Sequence, residues 1–235
     1  MLARAALQNL LMWLTVIVYA PLALCTAPLP FAWRYAFITR WPWFHVRLAR
    51  WLFGIRYEVE GREHLPSGAA VVLSKHQSTW ETLALPEILP PFCYVLKREL
   101  FWIPLFGWAL ALLRPVAIDR GAGRRALKQL VEQGRARVRQ GLWIVIFPEG
   151  TRVAPGVRRP YQGGGALLAA EIGCPVVPIA HNAGSYWPRR SLARKSGTIR
   201  VVIGPPILTL GKRPAEIIRE AEEWIEGTMA RLETR

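Results

Sequence analysis

The chain contains a single aspartate, Asp119, which excludes any site built on paired aspartates. Cysteine is scarce as well. Cys25, Cys93 and Cys174 are scattered and odd in number, which argues against a disulfide framework and fits a reducing compartment. No two of them lie at metal-ligand spacing, and the 4 histidines (His45, His64, His76, His181) are dispersed, so no metal and no cofactor is expected. A Gly-x-Ser-x-Gly nucleophile elbow is missing, as are zinc-finger, RNP-type and helix-turn-helix signatures. Acidic residues are few overall, 16 against 31 lysines and arginines, for a formal charge of +15. That excess points to a polyanionic partner: nucleic acid, an anionic membrane surface or phosphorylated substrates. The 11 tryptophans and a positive mean hydropathy favour the membrane and speak against nucleic acid.

From Ala5 to Trp33 charge is absent altogether. Ala5 to Ala20 is compatible with helix, and Pro21, Pro28 and Pro30 then interrupt it. A bilayer crossing takes roughly 20 apolar residues, so Ala5 to Ala27 could cross once. A cleaved signal, a spanning helix and a segment dipping into one leaflet all remain open. No small-x-small cleavage site follows, and Leu24 before Cys25 breaks a lipoprotein box, so anchoring is the expectation. Phe31 to Phe53 interleaves Trp33, Trp41, Trp43, Phe44 and Trp51 with Arg34, Arg40, Arg47 and Arg50. Such a mixture reads as a headgroup-level helix or a hairpin in one leaflet, with its arginines on the cytoplasmic side of the inner membrane. Residues 1–54 are thus expected to form a membrane-anchoring helical segment, with one folded domain over 55–235.

Beyond Gly54 short strand and helix patterns alternate. Strands are predicted over Ile55–Val59, Val71–Leu73, Cys93–Lys97, Pro115–Ile118, Leu142–Phe147, Val176–Ala180 and Thr198–Ile203. Helical periodicity covers Arg124–Gln140, with Leu127, Leu130, Val131 and Val138 inward, and a terminal segment starting at Pro214, whose Ile217, Ile218, Ala221, Trp224, Ile225, Met229 and Leu232 form a core stripe. The expected class is α/β, a mixed sheet flanked by helices. Leu100 to Leu113 carries no charge and is either a core helix or one wall of an acyl-chain groove.

The chemistry gathers where strands end. His76 lies in the turn after Val71–Leu73, and Glu81 follows about one helical turn later in a helix predicted over Thr79–Leu85 and stopped by Pro86. A carboxylate that holds one imidazole nitrogen frees the other to take a proton from a hydroxyl. With no nucleophile elbow in the chain, that hydroxyl belongs to a substrate. Ser78-Thr79-Trp80-Glu81 is equally a capping box, in which Glu81 would bond backbone instead of His76. Phe147-Pro148-Glu149-Gly150-Thr151-Arg152 follows another strand, Ile118-Asp119-Arg120 ends a third, and Lys97-Arg98 a fourth. Arginine forks at several strand ends look like an anion pocket beside a base.

These blocks, with Lys75-His76-Gln77-Ser78-Thr79-Trp80-Glu81 at their head and Val177-Pro178-Ile179 at their end, resemble the 1-acylglycerol-3-phosphate acyltransferase family of glycerolipid acyltransferases. The resemblance implies that residues 55–235 are an acyltransferase catalytic domain with catalytic His76 and Glu81. The family usually has aspartate where Glu81 stands. It implies acceptor-binding roles for Arg120, Glu149, Gly150, Thr151 and Arg152, with Lys97 a helper on phosphate, and an acyl-donor pocket at Val177, Pro178 and Ile179. Donor would be acyl-CoA or acyl-carrier protein, acceptor lysophosphatidic acid, product phosphatidic acid for phospholipid biosynthesis. Two alternatives stand beside this: acylation of another lysolipid or of glycerol 3-phosphate, and a non-catalytic basic membrane-surface protein. Arg158, Arg159, Arg189, Arg190, Arg194 and Lys195 would meet anionic lipid or an acidic carrier protein.

Overall fold

The computed structural model describes residues 2–233, with Arg120 described by its backbone only. Three helices come first: α1 (Leu2–Cys25), α2 (Phe31–Ile38) and α3 (Arg40–Phe53). The helical stretch expected to stop at Pro21 continues through it to Cys25. Proline forfeits one intrahelical bond, but Ala20 and Ala23 on either side of it are buried against Ala109, and that packing holds the turn. The headgroup-level segment is two helices, α2 and α3, that meet at Thr39.

Seven strands follow: β1 (Ile55–Glu60), β2 (Val71–Ser74), β3 (Phe92–Lys97), β4 (Val116–Ile118), β5 (Trp143–Ile146), β6 (Val176–His181) and β7 (Gly197–Ile203). They form one sheet in the order β1-β7-β6-β2-β5-β3-β4. β6, β2, β5, β3 and β4 run parallel, whereas β7 is antiparallel to β6 and parallel to β1. The mixed sheet expected from the sequence is therefore present. All five parallel strands deliver their carboxyl ends to one edge, the position where open α/β sheets place ligands.

Helices cover both faces. Alternate residues of β2 point opposite ways, so Val72 packs with α3 and α4 (Trp80–Ile88), while Val71 and Leu73 pack with α6 (Arg124–Arg139), α7 (Gly164–Ile172) and α9 (Pro214–Glu233). The short α5 (Phe106–Ala111) sits against α1, and α8 (Ala183–Tyr186) follows β6. Helix α4 runs past Pro86 to Ile88 rather than stopping before it. Pro86 has no N–H for the carbonyl of Thr82, and the Tyr94 hydroxyl donates to that carbonyl instead, at 3.1 Å. A side chain from the next strand thus repairs the bond that proline removes.

Candidate active site

The loop from β2 into α4 carries His76. Its ring Nδ1 lies 2.8 Å from Glu81 Oε1, and the same oxygen accepts the backbone N–H groups of Gln77 at 3.0 Å and Ser78 at 2.8 Å. Capping box and dyad, opposed as alternatives on the sequence, coexist on one carboxylate oxygen. The loop is tight enough to bring ring and amides to the same point. Glu81 is wholly buried. Burial disfavours its charge, yet the pull of His181, the His76 hydrogen bond and the Ser78 amide overcome it, and the carboxyl sits below its ordinary value. Burial in turn draws the pKa of His181 down, and its Nε2 lies 2.8 Å from the Lys75 carbonyl. The amides of Gln77 and Ser78 are engaged with Glu81 and that of Trp80 with Ser78 Oγ.

The turn after β5 holds the histidine from the other side. Phe147 stacks on the His76 ring, centroids 3.9 Å apart and planes 16° from parallel. Glu149 Oε2 accepts the His76 backbone N–H at 2.7 Å, and Val153 N–H donates to the His76 carbonyl at 2.8 Å. Gly150 takes the left-handed conformation (φ +68°), and a Cβ there would lie 2.9 Å from Nε2 of Gln162, so the turn requires glycine.

Behind this turn is a buried ionic cluster. Lys75 Nζ lies 2.7 Å from both Glu149 Oε1 and Glu226 Oε1, and Tyr161 donates its hydroxyl to Glu226 Oε1 at 2.8 Å. Burial pushes Glu149 up to about 7, against the opposing pull of Lys75 and the His76 amide. Lys75, Tyr161, His181 and Glu226 were not read from the sequence as site residues. Glu226 left one trace, an acid on the flank of the apolar stripe of α9.

In front of the His76 ring opens a cavity of about 510 Å³. Its lining includes the polar side chains of His76, Lys97, Arg152 and Thr82. The remainder is apolar, walled by Val16, Ala20 and Ala23 of α1, by β3 and by Leu100, Phe106, Ala109, Leu110 and Leu113. The charge-free stretch 100–113 therefore forms a groove wall. Arg152 is half-buried, and its Nε has no hydrogen-bond partner. Burial draws the pKa of its guanidinium down, the Glu81 charge acts against this, and Arg189 adds to it.

The residues expected at the site separate into groups. His76, Lys97 and Arg152 meet at one cavity. Glu149 is buried behind the loop and touches Lys75 and the His76 backbone, while Gly150 and Thr151 form the turn. The backbone of Arg120 follows β4 at the same sheet edge, and its side chain lies outside the described residues. Val177, Pro178 and Ile179 are buried inside β6, paired with Val72, Leu73 and Ser74, and do not line the cavity. Ile179 contributes its carbonyl, which accepts the Lys75 N–H at 2.9 Å. No cluster of histidine, cysteine and acidic residues able to hold a metal occurs among the described residues.

The chain is 48% identical over 234 residues to 1-acyl-sn-glycerol-3-phosphate acyltransferase of Pseudomonas aeruginosa, covering 97% of this chain and 91% of that one. It is 34% identical over 171 residues to the human 1-acyl-sn-glycerol-3-phosphate acyltransferase alpha, covering 72% and 60%. Its fold matches the crystal structure of the 1-acyl-sn-glycerophosphate (LPA) acyltransferase PlsC from Thermotoga maritima with a TM-score of 0.80 at 22% identity, covering 99% and 98% of the two chains. Residues 56–182 match the family model described as Acyltransferase, and with the His76 loop, the cavity and these relatives the chain belongs to the acyltransferase family.

Proposed function

We propose that the protein transfers a fatty acyl group from an acyl thioester to the free hydroxyl of 1-acyl-glycerol 3-phosphate, giving phosphatidic acid. The observation that carries this reading is the Glu81-oriented ring of His76 opening on an apolar cavity beside Lys97 and Arg152. The P. aeruginosa relative, whose name states this reaction, supports it. Lys97 and Arg152 hold the acceptor phosphate, with Arg120 placed at the same sheet edge to assist, and so fix the glycerol hydroxyl against the base. His76 Nε2 takes the hydroxyl proton as the oxygen attacks the thioester carbonyl. When the tetrahedral intermediate collapses, the C–S bond breaks and the thiolate takes the proton from the imidazolium. Glu81 keeps Nδ1 protonated and stabilises the transient positive charge. Glu149, Lys75 and Glu226 act on the backbone that carries His76. The donor is acyl-CoA or acyl-carrier protein.

The protein sits at the membrane through α1, α2 and α3. Leu10, Trp13, Ile17, Val18, Trp33 and Trp51 are all exposed, an apolar surface too large for water to tolerate. Because α1 is long and apolar enough to cross yet lines the cavity, it joins anchor and reaction chamber, and the arginines of α3 support a domain on the cytoplasmic side of the inner membrane. The test is purified protein in detergent with labelled acyl-CoA and a panel of lysolipids and glycerol 3-phosphate, products read by mass. Phosphatidic acid as the dominant product is expected; acylation of every acceptor except lysophosphatidate would overturn the assignment.

A further inference from the structure

A second cavity, of about 480 Å³, lies beside the first. Val16, Trp41 and Phe106 line both and form the partition between them. The second cavity is walled by α1, by Ile103 and by the segment from Trp187 to Arg194, and it reaches Thr79, in the same loop as His76.

Its notable occupant is Arg194. This arginine is 5% exposed, and its Nε has no hydrogen-bond partner. One terminal nitrogen donates to the carbonyls of Ser191 at 2.6 Å and Ala193 at 2.9 Å, and the guanidinium lies 4.5 Å from the centroid of the Trp187 ring. Among the described residues no carboxylate lies within ion-pair distance of it. Burial draws its pKa down to about 10, which leaves it cationic at neutral pH. A buried guanidinium whose partners are carbonyls and one ring retains uncompensated positive charge, an arrangement that an incoming anion relieves. Arg190 adds a second, exposed guanidinium to the same wall. Arg189 donates to the Arg152 carbonyl at 2.7 Å, so the segment is tied to the turn that faces the first cavity.

The acceptor phosphate has its cations, Lys97 and Arg152, on the other side of the partition. The remaining substrate is the thioester donor. Acyl-CoA and acyl-carrier protein share one anion, the phosphate at the end of the pantetheine arm remote from the sulfur. We propose that the second cavity is the donor channel, in which Arg194, assisted by Arg190, binds the phosphate of the phosphopantetheine arm and the Thr79 end admits the thioester to His76. The lining mixes Asn9 and Ser191 with Met12, Trp13 and Ile103, as an arm of amides and methyl groups needs. This inference rests on the acyl-transfer reading above.

The test compares one acyl chain presented as its CoA, 4′-phosphopantetheine and pantetheine thioesters. In the wild type, loss of the phosphate is expected to raise the donor KM by about tenfold or more, with the acceptor KM unchanged within about twofold. Arg194→Gln should raise the KM of the two phosphorylated donors by a similar factor and leave that of the pantetheine thioester alone. Arg194→Lys should recover part of the loss, and Arg190→Gln should show a smaller effect in the same direction. Equal KM values for phosphopantetheine and pantetheine donors in the wild type would overturn the proposal, and that comparison stands even if the Arg194 variants do not fold. It is overturned as well if Arg194→Gln raises the acceptor KM instead, or impairs all three donors alike. Titration of free CoA onto the protein separates the two readings: saturable binding that Arg194→Gln weakens supports the channel even if lysophosphatidate is not the acceptor, and unchanged binding counts against it.

Discussion

Two carboxylates grip the same histidine from opposite sides, and they differ in almost every respect. Glu81 meets the ring, Glu149 the backbone N–H. Glu81 is held below its ordinary pKa by His181, His76 and the Ser78 amide despite its burial, whereas burial pushes Glu149 up to about 7 despite Lys75. The ring side opens on an apolar cavity, and the backbone side closes on the cluster of Lys75, Glu226 and Tyr161. On the proposed mechanism, the difference separates residues that act on the reaction from residues that hold the actor still. Two positions of one motif, Glu149 and Arg152, fall on opposite sides of that division.

The most severe way to break the ring side is His76→Ala. Turnover should fall by about 10²- to 10⁴-fold, the usual contribution of a positioned general base, with membrane association unchanged in vesicle flotation. Glu81→Gln comes next, with turnover reduced by about 10²-fold. A depressed carboxyl stabilises the fold above its unfolded value of 4.5 and loses that contribution as pH falls through the folded value. The stability gap between wild type and Glu81→Gln should therefore be widest at neutral pH and close as pH falls from 4.5 through the lowered folded value, as read by denaturation across pH.

The backbone side has the opposite sign. Lys75→Met removes the cation that Glu149 and Glu226 share, with Glu226 still held by Tyr161 and Arg158, and should destabilise the fold by about 3–5 kcal/mol at neutral pH. Glu149, raised from 4.5 to about 7, contributes stability that is full below pH 4.5 and lost as pH rises toward 7. Without its counter-cation that loss should steepen, so thermal unfolding of Lys75→Met should recover toward wild type as pH falls through this window. Arg152→Ala should leave the melting temperature alone and raise the acceptor KM about tenfold or more, the loss of a charged hydrogen bond. Glu149→Gln should do the reverse, lowering stability and kcat with the acceptor KM kept. The mildest change is Leu110→Trp, which should shift preference toward shorter acyl chains by about tenfold in competition assays.

Much of the scaffold was legible because it follows from local rules. Apolar or alternating runs bounded by glycine or proline marked every strand, and the strands' ends located His76, Lys97, Arg120 and Arg152 at one edge before any contact was known. The helix ends were less legible: Pro21 and Pro86 both read as stops, and both lie inside helices because distant groups, Ala109 and the Tyr94 hydroxyl, make good the loss. The role of Val177-Pro178-Ile179 was equally hidden. A buried strand and a pocket wall have the same apolar spelling, and only the pairing of β6 with β2 shows that this one steadies the loop through a carbonyl.

By itself the sequence determined the class of fold, the membrane-seeking amino-terminal segment and the chemical types available at the strand ends, because periodicity, charge and turn chemistry are local properties. Which face of the His76 loop each residue serves, and that α9 reaches back with Glu226 to hold Lys75, was decided only in three dimensions. Side-chain direction and burial depend on partners far along the chain, and no local pattern encodes them.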